Sequence, residues 1–336
     1  MHSLVYGCGA WGTTIAQLLA HKGCLVSLVC HDPKILKEIN TLHTNTTYLP
    51  KRPILSDRIQ AILEPEMFRL LPGISTIFLV VASPYYRQTL RSLMPILRAD
   101  QIVVSATKGM EEKTHRSILE MATEELSEDV LQNRFVILSG PNLAGEIYLG
   151  KPAATVVACR NQATAQTIQM LISSPQFRAY YSDDLIGVEY GGILKNVIAI
   201  AAGILDALEL GANAKAALLV RGIAEMKRFA LSQGAREETL SGLSGFGDLI
   251  TTCLGPQSRN YSVGFQIGKG ETIQEIVSGM VAVAEGVKTS KVIALLAKQR
   301  GISMPITTAV YEVLYEKLPL EKAIGLLMTR DLKAED

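Results

Sequence analysis

His2-Ser3-Leu4-Val5-Tyr6-Gly7-Cys8-Gly9-Ala10-Trp11-Gly12 opens the chain, and its reading decides the fold. A short apolar strand runs into a G-x-G-x-x-G turn. A helical pattern follows over residues 13–22, and a second apolar strand over 25–30. Strand, glycine-rich turn, helix and strand within about 30 residues form the βαβ unit in which this motif binds the pyrophosphate of a dinucleotide. Each glycine has its own reason. Gly7 allows the tight turn, Gly9 lets the backbone approach the pyrophosphate, and Gly12 permits close helix–strand packing. The helix N-terminus then offers N–H groups to the phosphates. Asp32 lies twenty residues past Gly12, where an acid can bind the ribose 2′-OH of NAD. His31 beside it can instead accept a 2′-phosphate, and Asp32-Pro33 can equally be a helix N-cap with proline at N1. NAD and NADP both stay open on this evidence.

Outward from that unit, strand and helix alternate. Residues 74–82 form an almost continuous apolar run, as expected of a central parallel strand, and Ser83-Pro84 ends it. Residues 102–105 form another strand, ending in Ala106-Thr107-Lys108-Gly109. Residues 135–138 form a third, ending in Ser139-Gly140-Pro141-Asn142. Ligands of open α/β sheets bind outside the carboxyl ends of the strands. Lys108 and Asn142 both sit just past such ends, although Lys108 can be a plain loop lysine and Asn142 can cap a helix starting at Leu143. Residues 154–157, a helix over 162–172 and residues 177–181 complete the sheet region. From residue 185 onward only helices and glycine-containing turns are expected. The fold class is therefore an α/β N-terminal Rossmann-like dinucleotide-binding domain, residues 1–184, followed by an all-α C-terminal domain, residues 185–336, expected to bind substrate.

Composition narrows the function. A chain of 336 residues is too long for one ordinary core and fits two domains. Its 33 Lys+Arg against 32 Asp+Glu leave no global field to attract nucleic acid or an anionic membrane. No basic block with interleaved aromatics, internal repeat or low-complexity segment interrupts the pattern. The five cysteines are scattered, with no C-x-x-C pair and no metal-ligand spacing, which suits a reducing cytoplasm and implies no metal. No signal peptide is expected, because the first twenty residues already read as strand, turn and helix.

Residues 191–205 form an apolar stretch interrupted by Lys195 and Asn196. It approaches membrane-spanning length, but a central lysine would cost about 2.5–3.5 kcal/mol on insertion, so a buried core helix is expected. Burying a cation and an amide there is costly unless both find partners. All five histidines lie at or before His115, so any proton transfer in the second half proceeds without histidine, and the residue there to explain is Lys195. Burial would lower its pKa from the usual ~10.4, and an adjacent carboxylate would oppose that. Further on, 241–253 is glycine-rich and turns helical at Asp248, which as an isolated residue reads as an N-cap. Ser258-Arg259-Asn260 follows Gly255-Pro256 where a turn becomes a helix, a plausible phosphate site or a plain cap with an exposed arginine. Glu285 opens another helix, where it can simply favour the dipole.

Taken together, these residues resemble glycerol-3-phosphate dehydrogenase of the soluble NAD(P)-dependent bacterial type, over nearly the full length. The resemblance rests on Gly7-x-Gly9-x-Trp11-Gly12, Ala106-Thr107-Lys108-Gly109, Ser139-Gly140-Pro141, Gly187-Val188-Glu189-x-Gly191-Gly192-x-x-Lys195-Asn196-Val197, Gly245-x-Gly247-Asp248-Leu249, Ser258-Arg259-Asn260, Glu285-Gly286 and Met304-Pro305-Ile306. It implies reversible reduction of dihydroxyacetone phosphate to sn-glycerol 3-phosphate, supplying phospholipid synthesis, with NAD or NADP as cofactor and a homodimer as the assembly. It implies Lys195 as proton donor and acceptor, in a catalytic set with Lys108 and Asp248. Lys108, Gly140, Asn142, Lys195, Asn196, Asp248, Ser258, Arg259 and Asn260 would bind substrate. Ala10, Trp11, His31, Lys108, Ala144, Arg259, Val283 and Glu285 would flank the dinucleotide beside the three glycines. The chain departs from the family pattern at Asn142, where bacterial members usually carry Ser or Thr, at Ala10 in place of Ser, and at Ala82-Ser83 in place of Pro-Ser.

Three other readings share parts of this pattern. A dinucleotide-binding redox sensor would need no buried Lys-Asn pair. A 3-hydroxyacid dehydrogenase would take carboxylates in place of phosphates. A helical scaffold would use the second half only to dimerise, through the helix expected over residues 212–232.

Overall fold

Eight strands form one sheet: β1 His2–Tyr6, β2 Leu25–Val29, β3 Ile59–Ile62, β4 Thr76–Leu79, β5 Ile102–Ser105, β6 Phe135–Ser139, β7 Ala153–Ala158 and β8 Phe177–Ser182. This is a computed structural model, and it describes residues 1–50, 54–280 and 284–332. The spatial order is β3-β2-β1-β4-β5-β6-β7-β8. All neighbours run parallel except β6 and β7. Tyr6 pairs with Val29 on one side and Leu79 on the other, so the strand order reverses at β1. That reversal opens a crevice at the carboxyl ends of β1 and β4, where ligands of such sheets bind.

The glycine turn fits this position residue by residue. Gly7 has φ +116°, outside the range of ordinary L-residues, and a Cβ on it would stand 2.5 Å from Val80 O. A Cβ on Gly12 would meet Gly7 O at 1.8 Å, so the helix closes directly over the turn. Around Gly9 there is no atom within 4 Å of a Cβ position. The helix runs Ala10–His21, three residues earlier than its periodicity suggests, because Gly9 rather than a polar residue is its N-cap.

The sheet differs from expectation in two ways. β3 was not anticipated, since four residues at a sheet edge, Ile-Gln-Ala-Ile, carry too little pattern. Strands β7 and β8 reverse direction relative to the first six, which strand periodicity cannot reveal.

After Asp184 the described residues contain helices and turns but no strand. Asp184 Oδ1 accepts the Gly187 N–H at 2.8 Å and so caps the long helix Leu185–Ala207. Among the described residues this is the one helix long and apolar enough to cross a membrane, and 89% of its apolar window is buried inside the molecule. Val197, Ile200 and Ile204 pack against Val263, Ile267, Val287 and Val310 from three other helices, forming a core of their own.

By contact density the chain divides into two units, Met1–Glu111 with Arg116–Glu189, and Glu112–His115 with Tyr190–Asp336. The short segment Glu112–His115 thus belongs with the helices. Lys291 Nζ holds Glu112 Oε1 at 3.1 Å there. His115 therefore joins the unit that chain order alone leaves without a histidine.

The helical unit carries a long-range cap over 81 residues. Glu225, on the helix Gly211–Ser232, accepts the N–H groups of Ile306 at 2.5 Å and Thr307 at 3.2 Å. It thereby caps the helix Pro305–Tyr315, whose own N-cap, Met304, has no acceptor side chain. Burial pushes the Glu225 carboxyl up to about 7 from 4.5. Between those values the folded state holds a proton that the unfolded chain has released. Stability is therefore full below about 4.5 and falls as pH rises through about 7. Replacing Glu225 with Gln removes that dependence. The melting temperature of Glu225→Gln relative to wild type is expected to be higher at pH 8 than at pH 5; a difference constant across this range would refute the assignment.

Candidate active site

In the helical unit, the lysine that interrupts the apolar stretch has found its partners. Lys195 is 7% exposed, and its Nζ donates to Asp248 Oδ1 at 2.5 Å and to Thr252 Oγ1 at 2.7 Å. Asp248 is 1% exposed. A charged pair this deep persists only with close geometry and added hydrogen bonds. Thr252 supplies one: its hydroxyl bonds Asp248 O at 2.6 Å while facing the ammonium.

Asp248 is not the N-cap that its position suggested. It follows a wide helical turn, Leu243–Gly247, in which Gly247 N donates to Gly242 O, an i→i+5 bond. That turn leads straight into the helix Asp248–Cys253, so the Asp248 backbone is already helical and its side chain turns to Lys195. Such insertions recur at functional sites because they re-aim side chains. Thr252 was missed, although its i+4 spacing from Asp248 puts both on one helical face.

Gly191 makes this approach possible. It lies one turn before Lys195, and a Cβ there would stand 2.3 Å from Ser244 O in the wide turn. Gly191→Ala should push that turn away and destabilise the fold by roughly 1–3 kcal/mol. Turnover should fall with it, because Asp248 sits four residues beyond Ser244. Thermal melting and kcat on the purified variant check both; unchanged kcat would show that the turn does not set the Lys195 geometry.

The second buried polar cluster in this unit is an amide chain. Asn260 Nδ2 donates to Asn196 Oδ1 at 2.8 Å, and Asn260 Oδ1 accepts the Gly286 N–H at 2.9 Å. Asn196 Nδ2 returns to Gly192 O at 3.2 Å. These amides tie three helices together beside Lys195. Ser258 caps the helix Arg259–Gly268 through the Tyr261 N–H at 3.3 Å. Arg259 opens that helix and is exposed. Glu285 opens the helix Glu285–Arg300. Val283 lies outside the described residues.

In the sheet unit, Lys108 lies past the end of β5 and its Nζ donates to Gly140 O, past the end of β6, at 3.1 Å. Asn142 does not cap a helix. Its Nδ2 bonds Ala154 O and its Oδ1 accepts from Thr155 Oγ1, both at 2.9 Å, so it fastens the end of β6 to β7. The helix that follows starts at Ala144, with Leu143 as its N-cap and no side-chain cap. Ala144 O receives a hydrogen bond from Thr14 Oγ1 at 3.2 Å. Trp11 lies edge-on to Phe177, with ring centroids 6.5 Å apart, and Ala10 opens the first helix. His31 is exposed just beyond β2, and Asp32 caps the helix Pro33–Leu42 through the Lys34 N–H at 2.8 Å. The cap reading of Asp32 is thus what the geometry shows.

Glu189 is a further residue that sequence pattern left without a role. It accepts from Ser117 Oγ at 2.9 Å and from the Leu119 N–H at 2.7 Å, capping the helix Ile118–Glu125, and burial pushes its carboxyl up to about 8. Nothing in its neighbourhood in the chain signals a partner seventy residues away.

The family model for the NAD-dependent glycerol-3-phosphate dehydrogenase N-terminus matches residues 4–165, and that for the C-terminus matches residues 184–325. The chain is 43% identical over 334 residues to a glycerol-3-phosphate dehydrogenase [NAD(P)+] of Geobacter sulfurreducens, covering 98% of each chain. It is 44% identical to the protein of that name from Chlorobium phaeobacteroides, covering 100% of this chain and 99% of the other. A crystal structure of glycerol-3-phosphate dehydrogenase from Coxiella burnetii superposes with a TM-score of 0.91 at 34% identity, covering 98% of this chain and 99% of that one.

Proposed function

We propose, for a chain that belongs to the NAD-dependent glycerol-3-phosphate dehydrogenase family, that it reduces dihydroxyacetone phosphate to sn-glycerol 3-phosphate with NADH or NADPH, and catalyses the reverse. The observation that carries this reading is the buried Lys195–Asp248–Thr252 set. Residues 1–184 hold the dinucleotide and residues 185–336 the substrate. The glycine turn suits a dinucleotide: it borders open space at Gly9, which a Cβ would begin to fill, and it leads into a twelve-residue helix. Gly7, Gly9 and Gly12 admit the pyrophosphate, with Ala10, Trp11, His31 and Ala144 around it. Bound there, the reduced nicotinamide supplies a hydride for the substrate C2 carbonyl.

The protein's own groups do the rest. As C2 is reduced, its oxygen gains negative charge and takes a proton from Lys195. Asp248 and Thr252 fix the direction of that ammonium. Ser258 and Arg259 hold the substrate phosphate, with Asn260 bracing the start of their helix, and that remote binding energy positions C2. Mixing the purified protein with dihydroxyacetone phosphate and following the loss of reduced-nicotinamide absorbance, once with NADH and once with NADPH, tests the reading. Oxidation of neither would overturn it and favour a non-catalytic sensor.

The glycerol phosphate made would enter phospholipid synthesis. The working form is a cytoplasmic homodimer: the five unpaired cysteines suit a reducing compartment. The helix Gly211–Ser232 leaves Val220 and Leu231 on one exposed stripe that a second copy would cover. Sedimentation velocity checks the assembly.

A further inference from the structure

Asn45 lies in the loop after the helix Pro33–Leu42, yet it is 4% exposed. Its Nδ2 donates to Cys8 O at 2.8 Å and to Thr13 Oγ1 at 2.8 Å. Thr13 Oγ1 donates in turn to the same carbonyl at 3.2 Å. Both protons of the Asn45 amide are thus spent on the glycine turn and its helix. Its Oδ1, by contrast, is buried with no hydrogen-bond partner among the described residues. A buried acceptor left unsatisfied destabilises the fold, so packing does not explain the residue; an apolar side chain of similar size would fill the space at less cost. The flanking chain is pinned as well. Glu38 Oε1 accepts from Thr44 Oγ1 at 2.8 Å and from the Thr46 N–H at 2.7 Å, one residue on each side of Asn45.

The consequence lies in the peptide between Cys8 and Gly9. The C=O and N–H of a trans peptide point in opposite directions across a rigid plane. Anchoring Cys8 O on Asn45 and Thr13 therefore turns the Gly9 N–H to the opposite side. Without the anchor that peptide is free to rotate and present a carbonyl where an anion must approach. We propose that Asn45 is a positioning residue for the dinucleotide, holding the Cys8–Gly9 peptide so that the Gly9 N–H faces the pyrophosphate. The inference rests on the dinucleotide reading of the turn and adds to it a residue distant from the motif.

The test is equilibrium titration with NADH and NADPH on the full chain, for wild type, Asn45→Leu, Asn45→Asp and Thr13→Val, with melting temperature, kcat and both KM values measured in parallel. Asn45→Leu and Asn45→Asp, which cannot donate, should raise the dinucleotide Kd about tenfold or more. At saturating dinucleotide, kcat and the KM for dihydroxyacetone phosphate should stay within about twofold of wild type, because these residues act on the turn alone. A Kd equal to wild type overturns the proposal, whatever the melting temperature does. So does a loss spread equally over kcat and both KM values, the signature of a merely structural role. Should the Asn45 variants fail to fold, Thr13→Val carries the test: it removes one of the two donors to Cys8 O and should raise the Kd about threefold, and no rise overturns the proposal. A wild-type protein that binds neither dinucleotide instead removes the reading on which this one rests, before any variant is compared.

Discussion

Lys195→Met is expected to bind NADH and NADPH as wild type does and to turn over at least ~10²-fold more slowly. Methionine keeps the length and apolar body of the side chain and removes only the proton donor. Lys195 is the group that Asp248 and Thr252 hold in place, at 2.5 and 2.7 Å. The substitution also deprives a buried carboxylate of its lysine, which in general destabilises by about 3–5 kcal/mol. Lys195→Met combined with Asp248→Asn separates the two effects. The double variant should regain much of the lost stability without regaining turnover. His115 supplies a second control, because it belongs to the helical unit and is an imidazole that chain order had set aside. His115→Gln should turn over as wild type. Near-normal kcat in Lys195→Met, or collapse in His115→Gln, would move the proton transfer elsewhere.

Arg259→Ala is expected to lower kcat/KM for dihydroxyacetone phosphate by about 10- to 100-fold while changing that for unphosphorylated dihydroxyacetone little. Arg259 is exposed at the start of a ten-residue helix whose N-terminus Ser258 caps. A guanidinium there faces a phosphate with a planar set of donors, and the helix dipole adds to it. The neighbouring Asn260 is engaged with Asn196 and Gly286, so it steadies the helix start from below. Losing the arginine removes binding energy that only the phosphorylated substrate uses. Equal losses on both substrates would instead assign Arg259 to the dinucleotide or to folding.

Much of the fold was legible because its determinants are local. A positive φ at Gly7 and a steric stop at Gly12 depend on residues within a few positions of the turn, together with one neighbouring strand. Helical and strand periodicities placed most later elements within a few residues of where they lie. The exceptions had weak local signals. β3 is a four-residue edge strand, and the reversal at β7 depends on which edge the chain returns to. The first helix began early because glycine stood in for a polar cap. At Asp248 and Asn142 the local habit of such residues, helix capping, lost to a distant partner that offered a better hydrogen bond.

The sequence by itself determined that a glycine-rich turn between strand and helix opens the chain, that an apolar helix carries a lysine requiring partners, and which polar residues were available. Only the tertiary structure decided who those partners are. Lys195 meets Asp248 across 53 positions, Asn196 meets Asn260 across 64, and Glu225 caps a helix 81 residues away. Asn45 reaches the glycine turn across 37. Periodicity reports which face of an element is buried, through the steady preference of apolar side chains for the interior. It carries no record of which buried polar group satisfies which, because a hydrogen bond depends on the position and direction of two atoms and leaves no repeat in either segment.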